Sequence, residues 1–150
     1  MQTATKLNIA ENPNQPFAYG FFFLVSFLVW LFATGVMRLW GQSFFIPHSN
    51  LSMIASFLFS LICLPPLAYG LFQATKLQPD QYQVAAICLA IPGMLLDVVT
   101  TYFFSQVYPN ILPAADGPYG AWLLWGYAIV LITGLAASQW SPGTLRALSQ

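Results

Sequence analysis

One residue in this chain stands where its chemistry is costly. Asp97 lies inside an apolar run that continues ten residues further, to Val107. A charged side chain at the middle of a bilayer costs on the order of 3 kcal/mol or more. Such an acid must be neutralised, paired or turned toward water. One reading is a proton or ion site, or a counter-charge for a substrate. The other is an ion-paired or hydrogen-bonded acid that locks helices together.

Arg38 is the candidate partner. It precedes Phe45 by seven residues. At 1.5 Å per residue, Arg38 and Asp97 then lie roughly 10–15 Å from the same boundary. Ser26, Trp30, Thr34 and Arg38 recur every four residues, as do Gly93, Asp97, Thr101 and Ser105. Four-residue spacing puts each set on one helix face. Facing each other, the stripes predict a polar seam with an Arg38–Asp97 pair and Thr34, Thr101 and Ser105 beside it. Neither charge would tolerate loss of the other in a low dielectric. Arg38 also admits a plainer reading, as a side chain that snorkels to the interface.

Three prolines bear on the same region. Pro65-Pro66 and Pro92, the latter followed by Gly93, are expected to break or kink their helices. Each proline removes an N–H, which frees the carbonyls of Leu61, Ile62 and Cys88. Beside an acid, freed carbonyls could hold a cation or a proton-carrying water. Alternatively the kinks are static, with hydroxyls of Ser52, Ser56 and Ser60 satisfying the backbone. Those serines, and Gly134 with Ser138, follow a small-xxx-small spacing that suits close packing within a bundle or across a dimer.

No hydrolytic or metal site assembles. His48 is the single histidine, on an expected loop, with no partner at metal-binding spacing. Cys63 and Cys88 fall in apolar runs, form no C-x-x-C, and read as small apolar side chains. No G-x-S-x-G elbow or phosphate-cradling glycine loop occurs. The sequence is therefore read as having no catalytic residues, no metal, no cofactor and no enzymatic activity.

The elements that carry these residues follow from composition. The chain has 150 residues, 58% hydrophobic and only 5% charged, where soluble domains carry about 25% charged residues. Net charge is zero, so no basic footprint for nucleic acid exists. Four apolar runs, 17–45, 51–72, 84–107 and 121–137, match the ~20 residues that span a hydrocarbon core. They lack the alternation of barrel strands. The first run exceeds a signal-peptide core and is read as a retained helix. Residues 1–16 are a polar segment and 139–150 a short tail, with Ser141-Pro142 suited to start a surface helix.

Short connections predict an all-α, up-down-up-down bundle in which sequential helices pack antiparallel. The connection 108–120 is expected to have no helix of its own. Arg38 precedes Phe44-Phe45 by the same step as Asp97 precedes Phe103-Phe104, as if two hairpins were related in parallel orientation. Lys6, Lys76 and Arg146 on one side, against Arg38 on the other, place both termini in the cytoplasm. Trp40, Tyr108, Tyr119, Trp122 and Trp140 sit near span ends, as an aromatic belt would.

Four stretches carry a resemblance. They are Arg38-Leu-Trp-Gly-Gln-Ser-Phe-Phe, Pro92-Gly-Met-Leu-Leu-Asp97, Phe103-Phe-Ser-Gln-Val-Tyr-Pro-Asn110 and Tyr119-Gly-Ala-Trp-Leu-Leu-Trp-Gly-Tyr127. Together they resemble an uncharacterised family of small bacterial four-helix membrane proteins, covering helices one, three and four well and helix two only in character. The resemblance implies a bundle in the bacterial inner membrane and supplies no activity. The functional expectation is a structural, accessory or assembly component of a membrane complex. Its partners would be the lipid bilayer and other membrane proteins or a second copy, with no nucleic acid. The alternative is a small proton- or ion-coupled transporter using Asp97.

Overall fold

The computed structural model describes residues 17–46 and 49–139. His48, Lys6, Arg146, Trp140, the polar segment 1–16 and the surface helix expected after Ser141 lie outside the described residues. Four long helices dominate: α1 (Tyr19–Phe44), α2 (Asn50–Ala74), α3 (Tyr82–Tyr102) and α5 (Asp116–Gln139). A single turn, α4 (Phe104–Val107), follows α3. The four long helices, with a 3-10 turn leading into each of α3 and α5, are long and apolar enough to cross a membrane, with mean hydropathy between 1.7 and 2.1. No strand occurs among the described residues. The chain is thus an all-helical, four-span bundle.

Local chemistry sets the helix ends. Ser49 caps α2 by accepting from the Ser52 amide at 3.3 Å. At the other end Leu77 N donates to Phe72 O and Lys76 N to Gln73 O, a paired closure that requires a left-handed residue. Lys76, with φ 52°, fills that position. The 3-10 turn Pro113–Ala115 leads directly into α5. The connection 108–120 therefore does contain helix, and α5 begins at Asp116, five residues before the expected 121. Gly117-Pro118 does not prevent this. The first four amides of a helix have no internal partner, so a proline there costs nothing, and Asp116 suits the positive end of the helix dipole.

At the prolines expected to break or kink α2 and α3, neither helix is interrupted. Pro65, Pro66, Pro92 and Gly93 all lie inside continuous helix. Ser52, Ser56 and Ser60 do not serve the carbonyls of Leu61 and Ile62. Their hydroxyls donate to Phe44 O, Ser52 O and Ser56 O instead. In α3, Ser26 Oγ donates to Leu89 O at 2.7 Å, in the turn before Pro92. Among the described residues α3 is interrupted at Phe103, before α4. Hydroxyls of Thr100 and Thr101 both reach back to Asp97 O just before it, and such back-bonding bends helices.

Spatial order departs from chain order. Helix α3 packs on α1 and on α5, and α5 packs on α2, whereas α1 and α2 barely touch. The sequential pair α3–α5 is antiparallel and tight, but α1 finds its main neighbour in the parallel helix α3 rather than in α2. Two core clusters result. At the end near the termini, Phe22, Ala68, Phe72, Tyr82, Ala85, Ala86 and Cys88 pack together. At the far end, Met37, Phe45, Phe104, Tyr108, Ile111, Ala115 and Tyr119 do so.

Candidate functional site

Asp97 sits between the two clusters and is 6% exposed. Its carboxyl is met from three helices. Trp30 Nε1 on α1 donates to Oδ1 at 2.9 Å. Thr100 Oγ1, one turn along α3, donates to the same oxygen at 3.2 Å. Tyr127 Oη on α5 donates to Oδ2 at 2.5 Å. Three neutral donors thus replace the water a carboxyl would otherwise need, since an unpaired polar group in this setting carries its full desolvation cost.

The polar seam between α1 and α3 is present, but its pairing is not the one expected. Ser26 meets Leu89 O, Trp30 meets Asp97, and Arg38 donates to Val107 O and, at 3.4 Å, to Gln106 O. Among the described residues no ion pair joins Arg38 to Asp97. The reason is register. Parallel helices here match residues 63 to 69 positions apart. Trp30 is therefore level with Asp97, and Arg38 lies eight residues, or about 12 Å, further on. There it covers carbonyls at the end of α4, where a cation is favoured. Thr101 turns its hydroxyl to the backbone carbonyl of Asp97. Thr34 is partly buried and Ser105 is exposed, and neither bonds the carboxyl.

Two partners were not anticipated from sequence. Thr100 is three residues from Asp97 and so shares its face. Tyr127 carries the weaker signal of a phenol deep in a span, far from any belt. Gly93 makes room for it: a methyl group added there would come within 2.7 Å of the Tyr127 oxygen. Three expected belt residues are also reassigned. Tyr108 is 0% and Tyr119 2% exposed, and the Tyr119 hydroxyl donates to the Tyr108 hydroxyl at 2.8 Å. Trp122 Nε1 points inward as well, to Ser60 Oγ at 2.7 Å. Trp40 does keep an exposed position.

The arrangement accepts either protonation state. Trp30 can only donate, whereas the hydroxyls of Thr100 and Tyr127 can also accept. A protonated carboxyl would therefore still find a partner. Among the described residues no group of His, Cys, Asp or Glu is placed to hold a metal ion. Cys63 and Cys88 are both free thiols.

No curated protein and no solved structure matches the chain. A family model does match, over residues 44–141. The matched segment holds Asp97, Thr100 and Tyr127, and all of α2, but leaves out α1 before Phe44 and with it Trp30 and Arg38. Because that match covers most of the chain, the protein belongs to DUF5367, a family of unknown function.

Proposed function

We propose that this small multi-pass membrane protein is a non-catalytic structural or accessory component of a membrane complex, in which Asp97 locks three helices. One observation carries the reading: both carboxyl oxygens are already occupied, by donors from α1, α3 and α5. A site built to bind cargo needs free coordination, and this one is filled by its own chain. The scarcity of charge also fits, at 5% of residues. On this reading the protein has no enzymatic activity. It lies in a bacterial inner membrane with both termini cytoplasmic, because Lys76, Lys6 and Arg146 outnumber Arg38. Its partners are lipid and other membrane proteins or a second copy.

Proton- or ion-coupled transport is the competing reading, favoured by the acid's position in mid-span. Reconstitution of the purified protein into liposomes under an imposed proton gradient separates the two. The structural reading expects no flux that depends on Asp97, together with a loss of unfolding stability in Asp97→Leu. Proton flux that disappears in a folded Asp97→Asn variant would establish transport instead.

A further inference from the structure

Two adjacent prolines leave one carbonyl of α2 without a donor. In a helix the carbonyl of residue i accepts from the N–H of residue i+4, or of i+3 in a 3-10 turn. For Ile62 those positions are Pro66 and Pro65, and neither has an N–H. Leu67, at i+5, would serve in a π turn, but α2 is α-helical throughout Asn50–Ala74. Side chains do not make up the loss. Among the described residues the hydroxyls of Ser52, Ser56 and Ser60 donate elsewhere. The indoles that α5 turns toward α2 serve the carbonyls of Ser56 and Phe57. Ile62 O stands at the midpoint of the 25-residue helix, on a face turned away from the bundle. Ile62 is 71% exposed, and Leu58 and Phe59 before it are exposed as well. Lipid tails carry no hydrogen-bond donor, and the hydrocarbon core holds no water to replace one. The missing donor therefore has to come from a second molecule.

The same face carries a donor of its own. Ile62, Pro66, Tyr69 and Gln73 are spaced four, three and four residues apart, which puts them on one side of α2. Tyr69 is 45% exposed. Its oxygen accepts from Gln73 Nε2 at 2.7 Å, and among the described residues no bond uses the phenol's own proton. Its ring lies edge-on to Tyr82, with 6.2 Å between centroids, which holds the phenol in place. Beside it, an added methyl on Gly70 would meet nothing within 4 Å, so a neighbouring backbone can come close.

We propose that this face of α2 is the contact of a homodimer, in which Tyr69 of each copy donates to Ile62 O of the other. A twofold axis along the membrane normal makes such a contact self-complementary, with each acceptor meeting the other copy's donor. Within one helix the two residues are about 10 Å apart along the axis. The carbonyl points toward the C-terminus and the tyrosine side chain leans back toward the N-terminus, so the groups approach each other from both sides. The small residues Ser56, Ser60 and Gly134 are buried inside the bundle and are not offered to a second copy. The proposal rests on the structural reading in taking a second copy as the partner. The two fail differently: this one as a protein that stays monomeric, that one as proton flux.

The test is energy transfer between donor- and acceptor-labelled copies of the full chain in liposomes, followed as the protein-to-lipid ratio is lowered. The unmodified chain should dimerise. Tyr69→Phe removes the donor and should raise the dissociation constant about tenfold, the effect of two interhelical hydrogen bonds. Pro66→Ala returns an N–H to Ile62 O, so that the carbonyl no longer needs a second molecule. It should weaken the dimer similarly, while circular dichroism shows helix content kept or raised. Tyr102→Phe, at an exposed position on α3, should leave the constant unchanged. One variant loses a single oxygen and the other gains helix propensity, so both are expected to fold. Monomers at every ratio, which would give the face to a different membrane protein, or a dimer as tight in either variant as in the unmodified chain, would overturn the proposal.

Discussion

The two ends of the bundle are held together by different forces. Near the termini the contacts are matters of shape. Gly134 lies against Ala86 and within 3.0 Å, measured from an added methyl, of the Tyr82 carbonyl. Phe72 and Tyr82 stack at 5.2 Å and 17°. At the far end the contacts are polar bonds between elements. Asn110 Nδ2 donates to Met37 O at 3.0 Å and to Gln42 Oε1 at 2.6 Å. Arg38 reaches Val107 O, Tyr119 reaches Tyr108, and Trp122 reaches Ser60. In a membrane there is little hydrophobic drive between helices, so close packing and interhelical hydrogen bonds are the available means of association. This chain relies mainly on close packing at the first end, where Ser26 also bonds Leu89 O, and on several polar bonds at the other, and Asp97 stands between.

The contrast can be broken or sharpened by substitution, read as unfolding free energy in bicelles. The largest effect is expected from Gly134→Ala, about 3 kcal/mol destabilising, because the new methyl meets helix backbone that cannot move aside. Gly41→Ala at the far end should cost less, about 1–2 kcal/mol. Its methyl meets the Ile111 side chain, which can change rotamer. Equal costs would mean that the two ends are packed alike. Tyr119→Phe should cost about 0.6 kcal/mol, the average for an interhelical hydrogen bond in a membrane. The double variant with Tyr108→Phe should cost no more than the sum less one shared bond. Gly35→Ala serves as the baseline. Nothing lies within 4 Å of the added methyl, so a gain of up to about 1 kcal/mol from helix propensity is expected.

Much of this architecture could be read from residue order alone. Run length and the scarcity of charge define the four spans, and the four-residue stripes correctly turn Ser26, Trp30 and Arg38 toward α3. Register could not be read, because periodicity gives a face and not a height. Measuring depth from the ends of apolar runs put Arg38 level with Asp97. The break at Phe103 and the inward fold of the segment around Ile111 and Ala115 shift that reckoning by about two turns. Tyr108 and Tyr119 were misplaced for a related reason. A tyrosine near the end of a span looks the same whether it faces headgroups or a core closed over by a loop. The order α1–α3–α5–α2 is also invisible in sequence, since loop length limits which helices can be neighbours without choosing among them.

The central claim is that neutral donors from three helices, and no cation, hold the Asp97 carboxyl. Double-mutant cycles test it most directly. Trp30→Phe and Tyr127→Phe should each couple to Asp97→Leu by about 0.5–2 kcal/mol, as groups in contact do. Arg38→Gln should add to Asp97→Leu with no coupling beyond about 0.3–0.5 kcal/mol, as separated sites do. Strong coupling of Arg38 to Asp97, with additive behaviour for Trp30 and Tyr127, would contradict the account.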